Sequence, residues 1–349
     1  MTLNYIGSKK SLLSFLEIPL KNIITKNSIL LDGFAGTGIV GSYFHNKYNN
    51  ITIANDLEYY SYIINYASLC VPYSDKLKDI IEIINNKINT SLLIDNYNLI
   101  TNNYSPKGDD KRMFWTEENA TKCDYTRYLL DNMLEEKEIT NEEHKFVIAS
   151  LLLAMDKVAN TASVYGAYLK KFKKSALKPL VLLPIHTNKK LNKNNIVHNN
   201  DINSEQILNN KYDIVYLDPP YNERQYSSNY HPLNYIAMYS KSVELYGKTG
   251  LIKNYNKSQY CNKKSAIDNL TDLVNNLKTK HILLSYNNEG IMDINKVKQL
   301  LINQGDVILY KKKYKKFKSQ SVQEDEQVYE YLFHCSKSEN KTFKEIIID

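Results

Sequence analysis

The stretch Asp213–Tyr221, DIVYLDPPY, decides how the rest of the chain is read. Ile214, Val215, Tyr216 and Leu217 make an apolar run of strand type that stops at an acid, two prolines and an aromatic ring. Neither proline carries an N–H and each restricts the residue before it, so the strand cannot pair further and the chain must leave the sheet there. That exit presents the carboxylate oxygens of Asp218, proline carbonyls with no local donor, and the flat face and polar tip of Tyr221. Such a set suits a flat heterocycle with an exocyclic amino group, which donates to the carboxylate and to a proline carbonyl while its ring stacks on the tyrosine. The plainer alternative is an edge strand ended by prolines, with Asp218 as a helix cap.

Working outward, Ser28–Gly41, SILLDGFAGTGIVG, reads as a short strand ending in Asp32, a glycine-rich turn (Gly33, Gly36, Gly38) and a helix opening near Thr37. Glycines at the carboxyl end of a strand allow a tight turn and a close approach of backbone to ligand, which is where open α/β sheets bind nucleotides. The spacing is neither GxGxxG nor a P-loop, which disfavours a bound pyrophosphate or triphosphate. The next strand, Ile51–Ala54, ends in Asn55-Asp56, and an acid at that tip is where a Rossmann-like fold holds ribose hydroxyls. Asp56 is the first choice and Glu58 the second. A third acid, Asp201, follows the short strand Ile196–His198. At the N-terminus, NYIGSKK (Asn4–Lys10) places lysines near the start of a helix, where the dipole disfavours them, unless they reach for an anion. Ser8 is the expected cap of that helix.

Between about Ser105 and Leu182 the α/β alternation lapses. FWTEENATKCDYTRYLLDNML and NEEHKFVIASLLLAMDKVANTA read as helices, and the whole reads as an insertion with its own helical core, in which Trp115 is a core residue. The basic aromatic tail YGAYLKKFKKSALKP follows, with Lys170, Lys171, Lys173 and Lys174 interleaved with Tyr168 and Phe172. A second run, Lys311–Lys318, is interleaved with Tyr314 and Phe317. Both have the composition of a phosphate-tracking surface, or of a solvated basic face. Asn160, Ser163, Tyr165, Tyr168 and Lys170, at the exit of a helix, are candidates to reach base edges and phosphates. After DPPY, Arg224, Tyr226, Asn229, Tyr230 and His231 are too polar and aromatic for a routine connector and suit an extruded nucleotide and its gap. Further on, helices are expected at Ala266–Leu277 and Asn295–Ile302, a strand at HILLSY, and an antiparallel hairpin from Val307–Phe317 and Gln327–His334.

Composition excludes little. In 349 residues, 45 Lys+Arg against 38 Asp+Glu give a net charge of +7, a mild bias toward polyanions. The four cysteines form no CxxC pair, which points to neither a disulfide framework nor a zinc site, and fits a reducing compartment. No apolar run reaches membrane-spanning length and no signal peptide opens the chain, so the expectation is a soluble cytoplasmic protein without a membrane partner.

Taken in order, NYIGSKK, DGFAGTG, ANDLE and DPPY resemble the S-adenosylmethionine-dependent DNA adenine N6-methyltransferases in which the glycine motif precedes DPPY. The resemblance runs from Tyr5 to about Phe333 outside most of the insertion. RQYSSNYHPLNYIA is similar to the segment after DPPY in restriction-associated members, with Asn234 where an acid is expected.

The resemblance implies a Rossmann-like methyltransferase fold: α/β, a mostly parallel sheet with a C-terminal antiparallel hairpin, plus an inserted helical target-recognition region. The catalytic domain would be residues 1–104 and 183–349, and the recognition region 105–182. It implies that Tyr5, Gly7 and Lys9 hold the methionine end of S-adenosyl-L-methionine, Lys9 at its carboxylate. Asp32, Phe34, Ala35, Gly36 and Gly38 would lie under it, with Asp56 at its ribose and Asp201 at its adenine. Asp218, Pro219, Pro220 and Tyr221 would form the catalytic pocket. The implied partners are double-stranded DNA and a restriction endonuclease acting on the same site, and the protein is expected to be a monomer.

The competing readings are an RNA adenine or protein glutamine methyltransferase and a catalytically silent DNA-binding subunit. Asp218, where the amide enzymes carry Asn, and the intact glycine turn argue against the protein-glutamine and silent readings; the size of the insertion argues against RNA.

Overall fold

A computed structural model describes residues 3–89, 96–185, 190–314 and 328–348. A 3-10 turn at Lys9–Leu12 leads into α1 (Leu13–Leu20), followed by β1 (Ile29–Asp32), α2 (Ile39–Tyr48), β2 (Ile51–Asn55) and α3 (Tyr59–Leu69). Next come α4 (Asp75–Ile88), α5 (Leu99–Tyr104), α6 (Glu117–Glu135), α7 (Asn141–Lys157), β3 (Ile196–His198), α8 (Glu205–Leu208) and β4 (Lys211–Leu217). The remainder is α9 (Tyr226–Met238), β5 (Leu245–Tyr246), β6 (Leu251–Ile252), α10 (Ala266–Asn276), β7 (Lys278–Asn287), α11 (Ile294–Ile302), β8 (Gly305–Tyr314), β9 (Val328–Lys337) and β10 (Phe343–Ile348).

These elements form two compact units. One, the sheet unit, comprises Lys9–Leu57, His198–Gln225 and Lys257–Asp349. The other, the helical unit, comprises the chain to Ser8, Glu58–Val197 and Tyr226–Asn256.

The sheet runs β10-β8-β9-β7-β4-β1-β2-β3. β1 pairs in parallel with β2 and β4, and β4 with β7, whereas β9 is antiparallel to both β7 and β8. Leu30, Ile214, Tyr216, Leu283 and Leu332 point into one apolar cluster, while Leu31, Val215, Leu217, Ile282, Leu284 and Phe333 point into the other. Burial on both faces is why these strands read as unbroken apolar runs rather than alternations. From β1 the chain proceeds outward to β2 on one side, while β4 lies on its other side, so the order reverses between β1 and β4. In open α/β sheets the crevice at the carboxyl ends of such a pair is the ligand site.

The helical unit packs α3–α7 and α9 around a core that includes Tyr104, Phe114, Trp115, Phe146, Tyr165 and Tyr230. α7 begins with a capping box in which Thr140 and Glu143 exchange side-chain and backbone bonds. The core of α6 and α7 is not closed within residues 105–182, because Ile63, Ile80 and Leu233 belong to the same cluster.

Several expectations need adjustment. α1 has Leu12, not Ser8, at its N-cap, because the 3-10 turn intervenes. The segment after DPPY is helical despite Pro232: Tyr230 breaks the helix at φ −130°, which puts Pro232 in a first turn where a missing N–H costs nothing. β10 adds an edge strand parallel to β8, and its half-exposed alternation hid it in the tail. Lys315, Lys316, Phe317 and Lys318 lie outside the described residues.

Trp115 is fully buried, and its indole N–H donates to the Met155 carbonyl at 2.9 Å. Trp115→Ala should therefore destabilise the helical unit by about 3–5 kcal/mol, read as a lowered urea midpoint.

Candidate active site

The glycine turn is built by its bonds. Gly33 N–H donates to Tyr216 O at 2.9 Å, and Ala35 N–H to Asn55 O at 3.0 Å, tying the loop to the tips of β4 and β2. Gly36 and Gly38 have φ of 51° and 74°, the left-handed region that glycine occupies without strain. A Cβ at Gly33 would sit 3.0 Å from both Ile202 and Leu217 side chains. Phe34 packs edge-on to Tyr260 with ring centroids 5.0 Å apart.

Acids stand where the sequence puts them, at the tips of β1, β2 and β4. Asp56 accepts from Gly36 N–H at 2.7 Å. Asp32 accepts from Gly41 N–H at 2.9 Å through Oδ2, while its Oδ1 is buried and has no hydrogen-bond partner. Burial pushes the Asp32 carboxyl up to about 7, against the Gly41 bond, and the charges of Asp218 and Asp56 push it the same way. Asp56 and Asp218 thus act on a buried acid with an orphaned oxygen, and that concentration of acids favours a cationic ligand. A sulfonium donor fits that field. Asp201 is exposed, with Oδ1 accepting from Asn203 N–H at 2.9 Å, so it caps its own turn.

At the end of β4 the prolines are buried and Asp218 faces Lys9, whose Nζ lies 3.2 Å from Oδ1. Lys9 also donates to the Tyr221 hydroxyl and stands 4.6 Å from the centre of its ring, and Tyr221 in turn donates to Asp218. Tyr221 is wedged edge-on against Tyr286 at 5.3 Å. Burial raises the Asp218 carboxyl, opposed by Lys9 and Tyr221. Lys9, expected at a ligand carboxylate, is here held on Asp218 and Tyr221. Sequence reasoning missed Glu330, on β9, whose Oε2 is 3.7 Å from Lys9 Nζ.

The helical unit holds the other candidates. The Tyr5 ring stacks on Tyr230 at 4.9 Å and tilts over Tyr226 at 5.5 Å, and Ile6 N–H donates to Tyr230 Oη at 2.8 Å. Gly7 turns the chain at φ 75°. Tyr226 and Tyr230, expected at DNA, therefore hold the N-terminal strap. Asn160, Tyr165, Asn229, Tyr230 and His231 are buried, contrary to the expectation that they meet DNA. The physical reason is satisfied polarity. The Asn160 amide donates to Met113 O and Leu169 O, each at 2.9 Å, and accepts from Lys173 N–H at 3.0 Å. Tyr165 donates to Asp156 at 3.0 Å, Asn229 O accepts from Tyr165 N–H at 2.8 Å, and the His231 ring nitrogens face Ser228 O and Thr249 O. Lys173 Nζ donates to Thr161 O at 2.6 Å. Ser163, Lys170, Lys171, Lys174 and, in the sheet unit, Arg224 are exposed; Tyr168 is half-buried. Asn234 donates to the buried Glu58 at 2.6 Å and accepts from Tyr60 N–H at 2.9 Å, so it anchors the start of α3 and occupies the second-choice acid.

A family model described as D12 class N6 adenine-specific DNA methyltransferase matches residues 5–300. Type II methyltransferase M.NlaIII of Neisseria lactamica is 37% identical over 96% of this chain and all of its own length. Type II methyltransferase M.CviAII of Paramecium bursaria Chlorella virus 1 is 37% identical over 95% of this chain and 97% of its own. Type II methyltransferase M.FokI of Planomicrobium okeanokoites is also 37% identical, over 96% of this chain but only 53% of its own length. Among the described residues no helix is long and apolar enough to cross a membrane.

The native state keeps a proton on Asp32 that the unfolded chain sheds near 3.8, so this contribution to stability is complete below that value and lost as pH rises to about 7. Asp32→Asn retains an acceptor for Gly41 and should flatten that fall, as seen in melting temperatures across the window.

Proposed function

The chain belongs to the D12 class of N6 adenine-specific DNA methyltransferases, and from that membership we propose that it modifies one duplex sequence with S-adenosylmethionine as methyl donor. The observation that carries this reading is the Asp218–Lys9–Tyr221 cluster at the β1/β4 reversal, beside the concentration of acids that suits a cationic donor. The donor supplies an electrophilic methyl group on sulfur; everything else falls to the chain.

An adenine N6 lone pair is delocalised into its ring and is a poor nucleophile. Asp218 and the Pro219 carbonyl accept from the NH2 and draw it toward tetrahedral geometry, and Tyr221 holds the ring, so that transfer proceeds by positioning and electrostatics. A base inside a duplex cannot reach such a pocket and has to be flipped out. For the donor, Phe34–Gly38 give a backbone surface and Asp56 and Asp201 the polar ends. Recognition of the target lies in residues 105–182, through Ser163, Tyr168 and the exposed lysines. The enzyme acts as a cytoplasmic monomer whose site is shared with a restriction endonuclease.

Asp218→Ala should abolish methyl incorporation into DNA while donor affinity stays within about tenfold, because the carboxylate touches the base and not the donor. Comparable loss of donor binding would remove Asp218 from this role. Replacing Lys170, Lys171 and Lys174 together should lower the slope of log affinity against log salt by roughly 2–3, since each phosphate contact contributes about 0.9. An unaltered slope would move the backbone contacts elsewhere.

A further inference from the structure

Lys9 is 3% exposed and lies between two carboxylates, Asp218 at 3.2 Å and Glu330 at 3.7 Å. Burying a second acid next to a catalytic one is costly unless it is used, since two carboxylates against one ammonium leave an excess negative charge in a low-dielectric site. Glu330 has no structural alternative in its pairing: its β9 backbone register sets it opposite Asn287 of β7 and Lys312 of β8. Its side chain shares the sheet face that carries Tyr216 and Leu332. The groups facing it are Lys9, Asp218, Tyr221, Tyr216 and, by register, Lys312. Burial raises its carboxyl and Asp218 adds to that, against Lys9. Unlike Lys9, its side chain keeps 11% exposure, an outlet to water.

We propose that Glu330 is a positioning residue that acts through Lys9, holding the ammonium on Asp218 and Tyr221 and receiving, by way of that ammonium, the proton that the target amine sheds. The inference rests on the methyltransferase reading above. The N6–carbon bond forms as the sulfur–carbon bond breaks, and the positive charge passes from sulfur to N6. Asp218 takes the N6 proton. As Lys9 gives one of its protons to Glu330, its freed lone pair takes the proton held by Asp218, so that Lys9 ends as an ammonium again, Asp218 is again ionised, and Glu330 is neutral until it releases the proton to water. Without the second acid, Asp218 loses this relay and must release the proton directly through its own 16% exposed side chain, so the next turnover waits on that step.

The test uses Glu330→Gln and Glu330→Asp in the full chain. Glu330→Gln should slow multiple-turnover methylation by about 10²-fold near pH 6. The deficit should shrink as pH rises and be partly rescued by added acetate, with donor and DNA affinities within about twofold of wild type. Glu330→Asp should recover part of the rate. A pH-independent loss that neither aspartate nor acetate restores would reduce Glu330 to a structural role, and an unchanged rate across pH would overturn the proposal outright. A second measurement needs no activity. Because the folded carboxyl is raised, Glu330 stabilises the fold at low pH and that contribution is lost as pH rises. Glu330→Gln should flatten that fall in the ligand-free protein, and less so when Asp218→Asn is already present. Additive effects would show that the two acids are not coupled. If the wild type methylates no DNA while this coupling is present, the function reading fails and the charge cluster stands.

Discussion

The rest of the structure depends on two neighbouring parallel strands that end in acids and send the chain in opposite directions. β1 and β4 are paired from Leu30–Ile214 to Asp32–Tyr216, so their tips lie together in the middle of the sheet. Acids crowded there are met in different ways: Asp32 is buried with an orphaned oxygen, and Asp218 is met by the ammonium of Lys9 and the hydroxyl of Tyr221. Parallel pairing supplies the constraint, because it puts strand ends, rather than turns, side by side. The glycine turn and the double proline are two solutions to the same problem, that of leaving a central strand abruptly. One turns back over the sheet into α2, and the other ends the strand in residues that have no N–H to pair.

How much of this was legible in the chain depended on whether the chemistry was local. The abrupt strand exits at Asp218–Tyr221 and Gly33–Gly38 could be read directly, since they follow from residues within one turn. Glu330 could not. In VYEYLFHC a single acid on an apolar strand reads as an outward residue, and it becomes a pocket residue only because β9 inserts antiparallel beside β7, next to β4. No periodicity encodes that adjacency. The opposite error affected Asn160, Tyr165 and His231: a polar side chain at a helix exit looks the same whether it meets water or a carbonyl, and here it meets carbonyls and a buried carboxylate. Asn160 bridges the carbonyls of Met113 and Leu169, a pairing between distant stretches that an apolar residue would leave unsatisfied.

Some of the 29 tyrosines have a local use in the helical unit. Tyr5, Tyr226 and Tyr230 stack, and Asp156 accepts from both Asn4 N–H and Tyr165, so the N-terminal strap is anchored by residues from two distant parts of the chain. Its position is therefore set by packing within that unit. Mutating the tyrosines after DPPY would disturb the strap before it disturbed any base.

That anchoring also bears on the order of biosynthesis. The helical unit is assembled from three separate stretches, and its core includes Tyr230, Leu233 and Ile236 from the last of them. A ribosome adding about 5–20 residues per second has released Glu58–Val197 several seconds before Asn256 emerges. Throughout that interval α3, α4, α6 and α7 have an open core, and the sheet unit still lacks its last four strands. Neither unit can close on the nascent chain early, and apolar surface of both stays exposed until the last stretch emerges.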